Sequence, residues 1–255
     1  MEKYYKEFDD YVSKFDMDEP NIISKYRHSY RVMNLQEKYS KILGYDDHNI
    51  KLAKLIGLLH DIGRFKQYEE YSTFSDLRSI DHADLGVKIL FDDRFIDKFW
   101  ECEDDYDIIN FSIKNHNKYS ISKTDNQEMT KHAKLIRDTD KIDIIYLMAK
   151  FKEYNKTIDN RPLSPKIVET LFNHKPINIK DINNPNDAKA TYLAFAYDVN
   201  NTELLEELRT YLISLYYQIN HDKIYDEVFD EINKYIDERT DTNVRKKIQS
   251  LRSRE

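Results

Sequence analysis

The chain has 255 residues, 40% of them hydrophobic and 34% charged, with a formal net charge of −7. That length allows one large domain or two small ones, and an acidic balance with both signs interspersed excludes a basic surface of the kind that coats nucleic acid. Four glycines and five prolines are too few for the many tight turns of an all-β sandwich and favour helices.

A single cysteine, Cys102, excludes an internal disulfide framework and suits a reducing compartment. Met1 to Asp10 is polar and mixed in charge, unlike a signal peptide. No apolar run approaches the roughly 20 residues that span a bilayer. A cytoplasmic protein with no membrane role is expected.

In chain order, Tyr4, Tyr5, Phe8, Tyr11, Val12 and Phe15 recur at helical spacing within 1–18. Pro20 opens a new element, and 22–43 reads as a helix stopped by Gly44. Asp46 or Asp47 caps a helix over 48–62 that is apolar on most of its circumference and therefore buried. Residues 64–80, charged and without a clean period, read as a long loop, and long loops in compact domains are often functional. Helices are expected at 82–91, in one or two pieces over 93–117, and over 129–153, with 118–127 a polar loop. Pro162, Pro165, Pro176 and Pro185 punctuate a linker over 160–186 that holds a short helix at 165–173. Helices over 187–199, 202–219, 222–238 and 241–253 complete the chain. The expected fold class is all-α, a single domain of 1–255 with a core at 22–150 and a C-terminal helical extension at 160–255.

The chemistry gathers on His28, His60, Asp61, His82, His116 and Asp140, each in or beside an apolar helix. A lone histidine near an apolar face is more often a core residue than a ligand, and His48, His132, His174 and His221 are left as such. The adjacent His60-Asp61 pair, ending an apolar run before Gly63, reverses that balance for the set. Imidazole and carboxylate are ligands for Zn, Mn, Fe, Co or Ni, and without a cysteine among them a thiolate-type structural zinc site is not expected.

The order His28, His60-Asp61, Asp140 resembles the H…HD…D pattern of the HD-domain superfamily of metal-dependent phosphohydrolases. Leu58–Arg64 (LLHDIGR) is similar to the family's LLHDIGK-like helix end. Asp81–Leu90 (DHADLGVKIL), Ile113–His116 (IKNH) and Arg137–Asp143 (RDTDKID) resemble three further family segments. The resemblance covers roughly 22–150.

It implies a helical bundle with His28, His60, Asp61 and Asp140 on a first metal. His82 and His116 match the positions that hold a second metal in two-metal members, with Asp61 bridging; Asn115 stands where some of those members carry a further histidine. One or two divalent transition ions are therefore expected as cofactor. The expected activity is hydrolysis of a phosphate ester by metal-activated water, with Asp61, Arg64 and Lys141 in catalytic roles. Arg64, Arg78, Lys114 and Lys118 are the expected substrate-binding cations. The expected partner is a small phosphorylated molecule, a nucleotide before others, and not nucleic acid. Phe65, Tyr68, Tyr71 and Phe74 could stack on a base, although such aromatics more often join the core. Two other readings share the ligand set: a non-catalytic nucleotide- or metal-binding regulatory module, and a di-iron oxygenase of the same architecture. A stripe of Ile224, Tyr225, Val228, Phe229, Ile232 and Ile236 leaves a homo-oligomer open.

Overall fold

The structure, a computed structural model, describes residues 2–92, 94–151, 161–217 and 223–252. Residue 93, the last two residues of the expected 129–153 helix, residues 218, 219 and 222, residue 253 and His221 lie outside the described residues. Among the described residues the regular structure is helical, with no strand, as the composition required. None of these helices is long and apolar enough to cross a membrane. The chain divides into two compact units, Met1–Asp140 and Lys141–Glu255, and the division falls inside one long helix.

The first unit begins with α1 (Glu2–Val12) and α2 (Pro20–Ile42). Phe8 and Val12 of α1 are fully buried, and Asp9 accepts hydrogen bonds from the Tyr26 and Tyr30 hydroxyls of α2 at 2.9 and 2.7 Å. Glu19 caps α2 by accepting from Asn21 N, and Pro20 fills the first turn, where its missing N–H costs nothing. Gly44, at φ +74°, takes the left-handed conformation that ends α2. Asp46 then accepts from Asn49 N at 2.8 Å to start α3 (Asp47–Leu59).

The crossing of α2 and α3 is close because Gly57 has no side chain. A Cβ there would lie 2.7 Å from Gln36 Cγ and 2.9 Å from Met33 Cα. This proximity brings His28 on α2 against the end of α3. The chain breaks at His60-Asp61, and α4 (Ile62–Tyr71) leaves in a new direction.

The loop expected over 64–80 is shorter than its polarity suggested. Residues 64–71 are helical, and Ser72 ends α4 in the left-handed region at φ 51°. Phe65 and Gln67 are fully buried while Lys66, Glu69 and Glu70 pair with one another outside. A buried glutamine reads as polar in sequence, which hides the period. Phe65 packs its ring against Phe8, Tyr11 and Phe15 and is core.

After a loop over 72–81, α5 (His82–Phe91) is capped by Asp81, which accepts from Ala83 N and Asp84 N. Next comes α6 (Tyr106–Asn115), and then α7 (Gln127–Phe151), whose first half closes the unit.

The second unit holds the rest of α7, α8 (Pro165–Phe172), α9 (Pro185–Leu193), α10 (Leu205–Tyr216) and α11 (Lys223–Arg252). Its core includes Ile167, Leu193, Leu208, Leu212, Val228, Ile232 and Ile236. The two helices expected over 222–238 and 241–253 are one continuous helix. No glycine or proline stands between them, and Arg239 at the join donates to the carbonyls of Val199 and Asn200.

Candidate metal centre

Five helices of the first unit deliver the six predicted side chains to one place. His28 stands mid-α2 and Asp140 mid-α7. His60 and His116 are the residues that end α3 and α6, His82 is the first residue of α5, and Asp61 sits at the break before α4. His28, His60, Asp61, His82 and His116 are all buried.

The last carbonyls of a helix have no partner within it. His60 Nδ1 lies 2.8 Å from the Gly57 carbonyl, and His116 Nδ1 lies 2.6 Å from the Ile113 carbonyl. Each ring therefore donates Nδ1–H to a carbonyl in the last turn of its own helix. His82 Nδ1 reaches the Asp76 carboxylate at 2.8 and 2.9 Å. With Nδ1 occupied as donor, all three rings turn an Nε2 lone pair inward.

These lone pairs meet. His82 Nε2 and His116 Nε2 are 2.9 Å apart, and His28 Nε2 and His60 Nε2 are 3.2 Å apart. The two acceptor nitrogens of His82 and His116 oppose each other at such a distance unless a cation lies between them. Nitrogen ligands about 2.1 Å from one ion lie about 3 Å apart when at right angles, so the spacing suits a shared ion.

Asp61 divides its two oxygens between two sets. Oδ2 faces His28 Nε2 (3.4 Å) and His60 Nε2 (3.7 Å), and Asp140 Oδ1 closes the same side at 3.1 Å from His28 and 3.6 Å from His60. Oδ1 faces His82 Nε2 (3.2 Å) and His116 Nε2 (3.5 Å). His28, His60 and Asp140 form one cluster able to hold a metal, and His60, Asp61 and His116 another. A nitrogen and oxygen donor set without sulfur fits a divalent transition ion.

The electrostatics favour deprotonated ligands. Burial pushes the Asp61 carboxyl up, but the Lys25 ammonium and the His60 ring more than reverse this, holding it well below the usual carboxylate range. Asp140 is held low in the same way, burial being outweighed by His28 and His60. Burial lowers His116 to about 4, so its ring is neutral at pH 7 and offers a lone pair. For Asp76, burial is overcome by the His82 ring and by Arg64, and its carboxyl also lies well below the ordinary value.

Of the predicted cations Arg64 reaches the centre, with Nε 3.6 Å from Asp61 Oδ1, and the other four lie elsewhere. Arg64 Nη1 donates to Gln67 Oε1, the Phe74 carbonyl and Asp76 Oδ1 at 2.9, 2.6 and 3.0 Å, so it anchors the 72–81 loop. Arg78 is exposed and reaches Thr73 Oγ1, and Lys114 is exposed on α6. Lys118 pairs with Asp81 at 2.6 Å and Asp84 at 3.1 Å. Lys141, in the second unit, pairs with Asp198 at 2.9 Å. His48, His132 and His174 bond to Asp105, Asn49 and Glu231, as ordinary structural histidines do.

Sequence reading missed two residues. Lys25 places its ammonium 2.8 Å from Asp61 Oδ2. Its position three before His28 on a helix puts both on one face, which was the available signal. Asp76 orients His82, with both oxygens within 2.9 Å of Nδ1. Nothing in a charged loop marks it out.

Asn115 turns away from the cluster. Its amide donates to the Phe111 carbonyl at 2.8 Å and its oxygen accepts from Ser122 N at 2.8 Å, so it fixes the chain after His116. Arg137, buried on α7, donates to the Asn115, His116, Lys118 and Tyr119 carbonyls and secures that segment further.

A search of curated proteins and a search of solved structures found no match. Among protein-family models, that of the HD domain matches residues 26–145. The stretch so matched contains every member of the His/Asp cluster, so the cluster lies wholly within the part of the chain that is similar to an HD domain.

Proposed function

We propose that the chain is a metal-dependent phosphohydrolase acting on a phosphate ester of a nucleotide or another small molecule. The observation that carries this reading is the carboxylate of Asp61, one oxygen turned to each of two histidine pairs. A carboxylate so placed could serve a cation on either side, and such a cation would supply charge neutralisation at a phosphoryl group.

In this reading His28, His60, Asp140 and Asp61 would hold one cation, and His82 and His116 with Asp61 would hold the other. A divalent ion supplies charge neutralisation at phosphoryl oxygens and brings the pKa of a water from 15.7 to near 7. The protein supplies position. Gly57 and the helix ends fix the nitrogens before substrate arrives, so no reorganisation is needed during reaction.

Lys25 is the cation nearest the centre, 2.8 Å from Asp61 Oδ2. Its side chain is 20% exposed, so the ammonium is at the mouth and can turn to a phosphoryl oxygen. Phe74 lies beneath it, 5.6 Å from Nζ to the ring centre, and holds its direction. Arg64, with Nη1 engaged by the loop and Nε 3.6 Å from Asp61 Oδ1, is the second cation beside the centre.

The test is phosphate release by the purified protein with Mn(II), Co(II) or Ni(II) over a panel of nucleotides and small phosphomonoesters and diesters. Metal-dependent turnover of a member of the panel is expected. Bound iron with an oxygen requirement and no phosphate release would return the oxygenase instead. In the same assay Lys25→Met should raise KM about 10- to 100-fold at unchanged metal content, since a hydrogen bond to a charged group is worth about 1.5–3 kcal/mol. An unaltered KM would remove Lys25 from the substrate site.

A further inference from the structure

The two cation subsites are unequal. The first has two carboxylates and two imidazoles around it. The second has one carboxylate oxygen and two imidazoles, with Asn115 facing away. Its affinity must depend on how well His82 and His116 are held. His116 is fixed by a carbonyl of its own helix. His82 has no such carbonyl, because it opens α5 instead of ending a helix.

What holds His82 is Asp76, with both oxygens within 2.9 Å of Nδ1. Asp76 is held in turn from three directions. Gln67 Nε2, from fully buried Gln67 on α4, donates to Oδ1 at 2.8 Å, and Arg64 Nη1 donates to the same oxygen at 3.0 Å. Asn117 Nδ2, from the segment after α6, donates to Oδ2 at 3.2 Å. Gln67 also donates to Ser79 Oγ and the Ile80 carbonyl, at 2.9 and 2.8 Å, so the loop bearing Asp76 is tied at both ends to α4.

We infer that Asp76 is the positioning residue of the second cation subsite: its carboxylate fixes the tautomer and direction of His82, and the second ion's affinity is set through it. A carboxylate accepting the far N–H of a ligating histidine raises the basicity of the near nitrogen, and loss of such a partner costs about 10- to 100-fold in metal affinity. The Arg64–Gln67–Asp76 network makes the 72–81 loop part of the metal centre. Any ligand that displaces the loop would loosen the second ion and leave the first in place.

This inference rests on the proposed two-cation site but not on its chemistry. The test is a Mn(II) titration of the full chain, read by electron paramagnetic resonance of free Mn(II), with no substrate present. Wild type should show one tight and one weaker site. Asp76→Asn, nearly isosteric, should leave the tight site and weaken the other about 10- to 100-fold. Asp76→Glu, which keeps the charge, should recover part of the loss. Asn117→Ala, at the half-buried side of the network, should weaken the same site by less, and it serves if Asp76→Asn does not fold. A merely structural role would weaken both sites together and lower the melting temperature of the metal-free protein. Equal weakening of both sites, no change at either, or a single site in wild type would each overturn the inference. Absence of phosphate release would overturn the proposed chemistry and leave these results standing.

Discussion

Asp61→Ala is expected to abolish the proposed metal-dependent phosphate release and to lower bound metal at both proposed subsites. Asp61 faces both histidine pairs, so its removal takes a candidate ligand from each. The helices at the break do not need the carboxylate, because Asp61 makes no side-chain cap to α4. Lys25, its partner, stands at the mouth and can turn to water. The variant should therefore keep its far-UV circular dichroism while metal content and activity fall to background. Retained turnover would show that the catalytic centre lies elsewhere.

Gly63→Ala is expected to have the largest effect on stability. A Cβ at Gly63 would sit 2.2 Å from the His82 carbonyl oxygen and 2.7 Å from Gly86 N, both backbone atoms that no rotamer change can move. α4 and α5 must separate, and His82 moves with α5. Overpacking of this kind costs about 3 kcal/mol or more, which for a chain of this size lowers the melting temperature by roughly 5–10 °C. Thermal melting of the metal-free protein measures it. A shift under about 1 °C would mean that the α4–α5 contact is looser than these distances state.

Much of the site was legible because its ligands lie at helix ends. An apolar run that stops at His60-Asp61 marks a buried helix delivering polar groups at its terminus, and Ile113 to His116 repeats the device. The supporting residues were harder to see. Gln67 is polar yet fully buried, so it broke the period that would have marked α4. Asp76 precedes His82 by six residues in a loop rich in serine and charge, and only the folded loop shows the pair.

Adjacency in sequence was an uneven guide for the cations: Arg64, three residues after Asp61, brings Nε to 3.6 Å from Oδ1. Neighbouring residues on a helix do not face the same way, so Lys141 beside Asp140 pairs with Asp198. Lys25, three residues from His28, obeys the spacing that does bring helical side chains together. The continuous α11 was divided in two because its charged second half has a weaker apolar stripe, although no breaker interrupts it.

Anomalous diffraction from crystals grown with Mn(II) gives the most direct measurement. One peak is expected among His28, His60, Asp61 Oδ2 and Asp140, and a second, weaker peak among Asp61 Oδ1, His82 and His116. A map with no peak among these six side chains, from crystals in which they are ordered, would contradict the metal centre and the hydrolytic chemistry built on it.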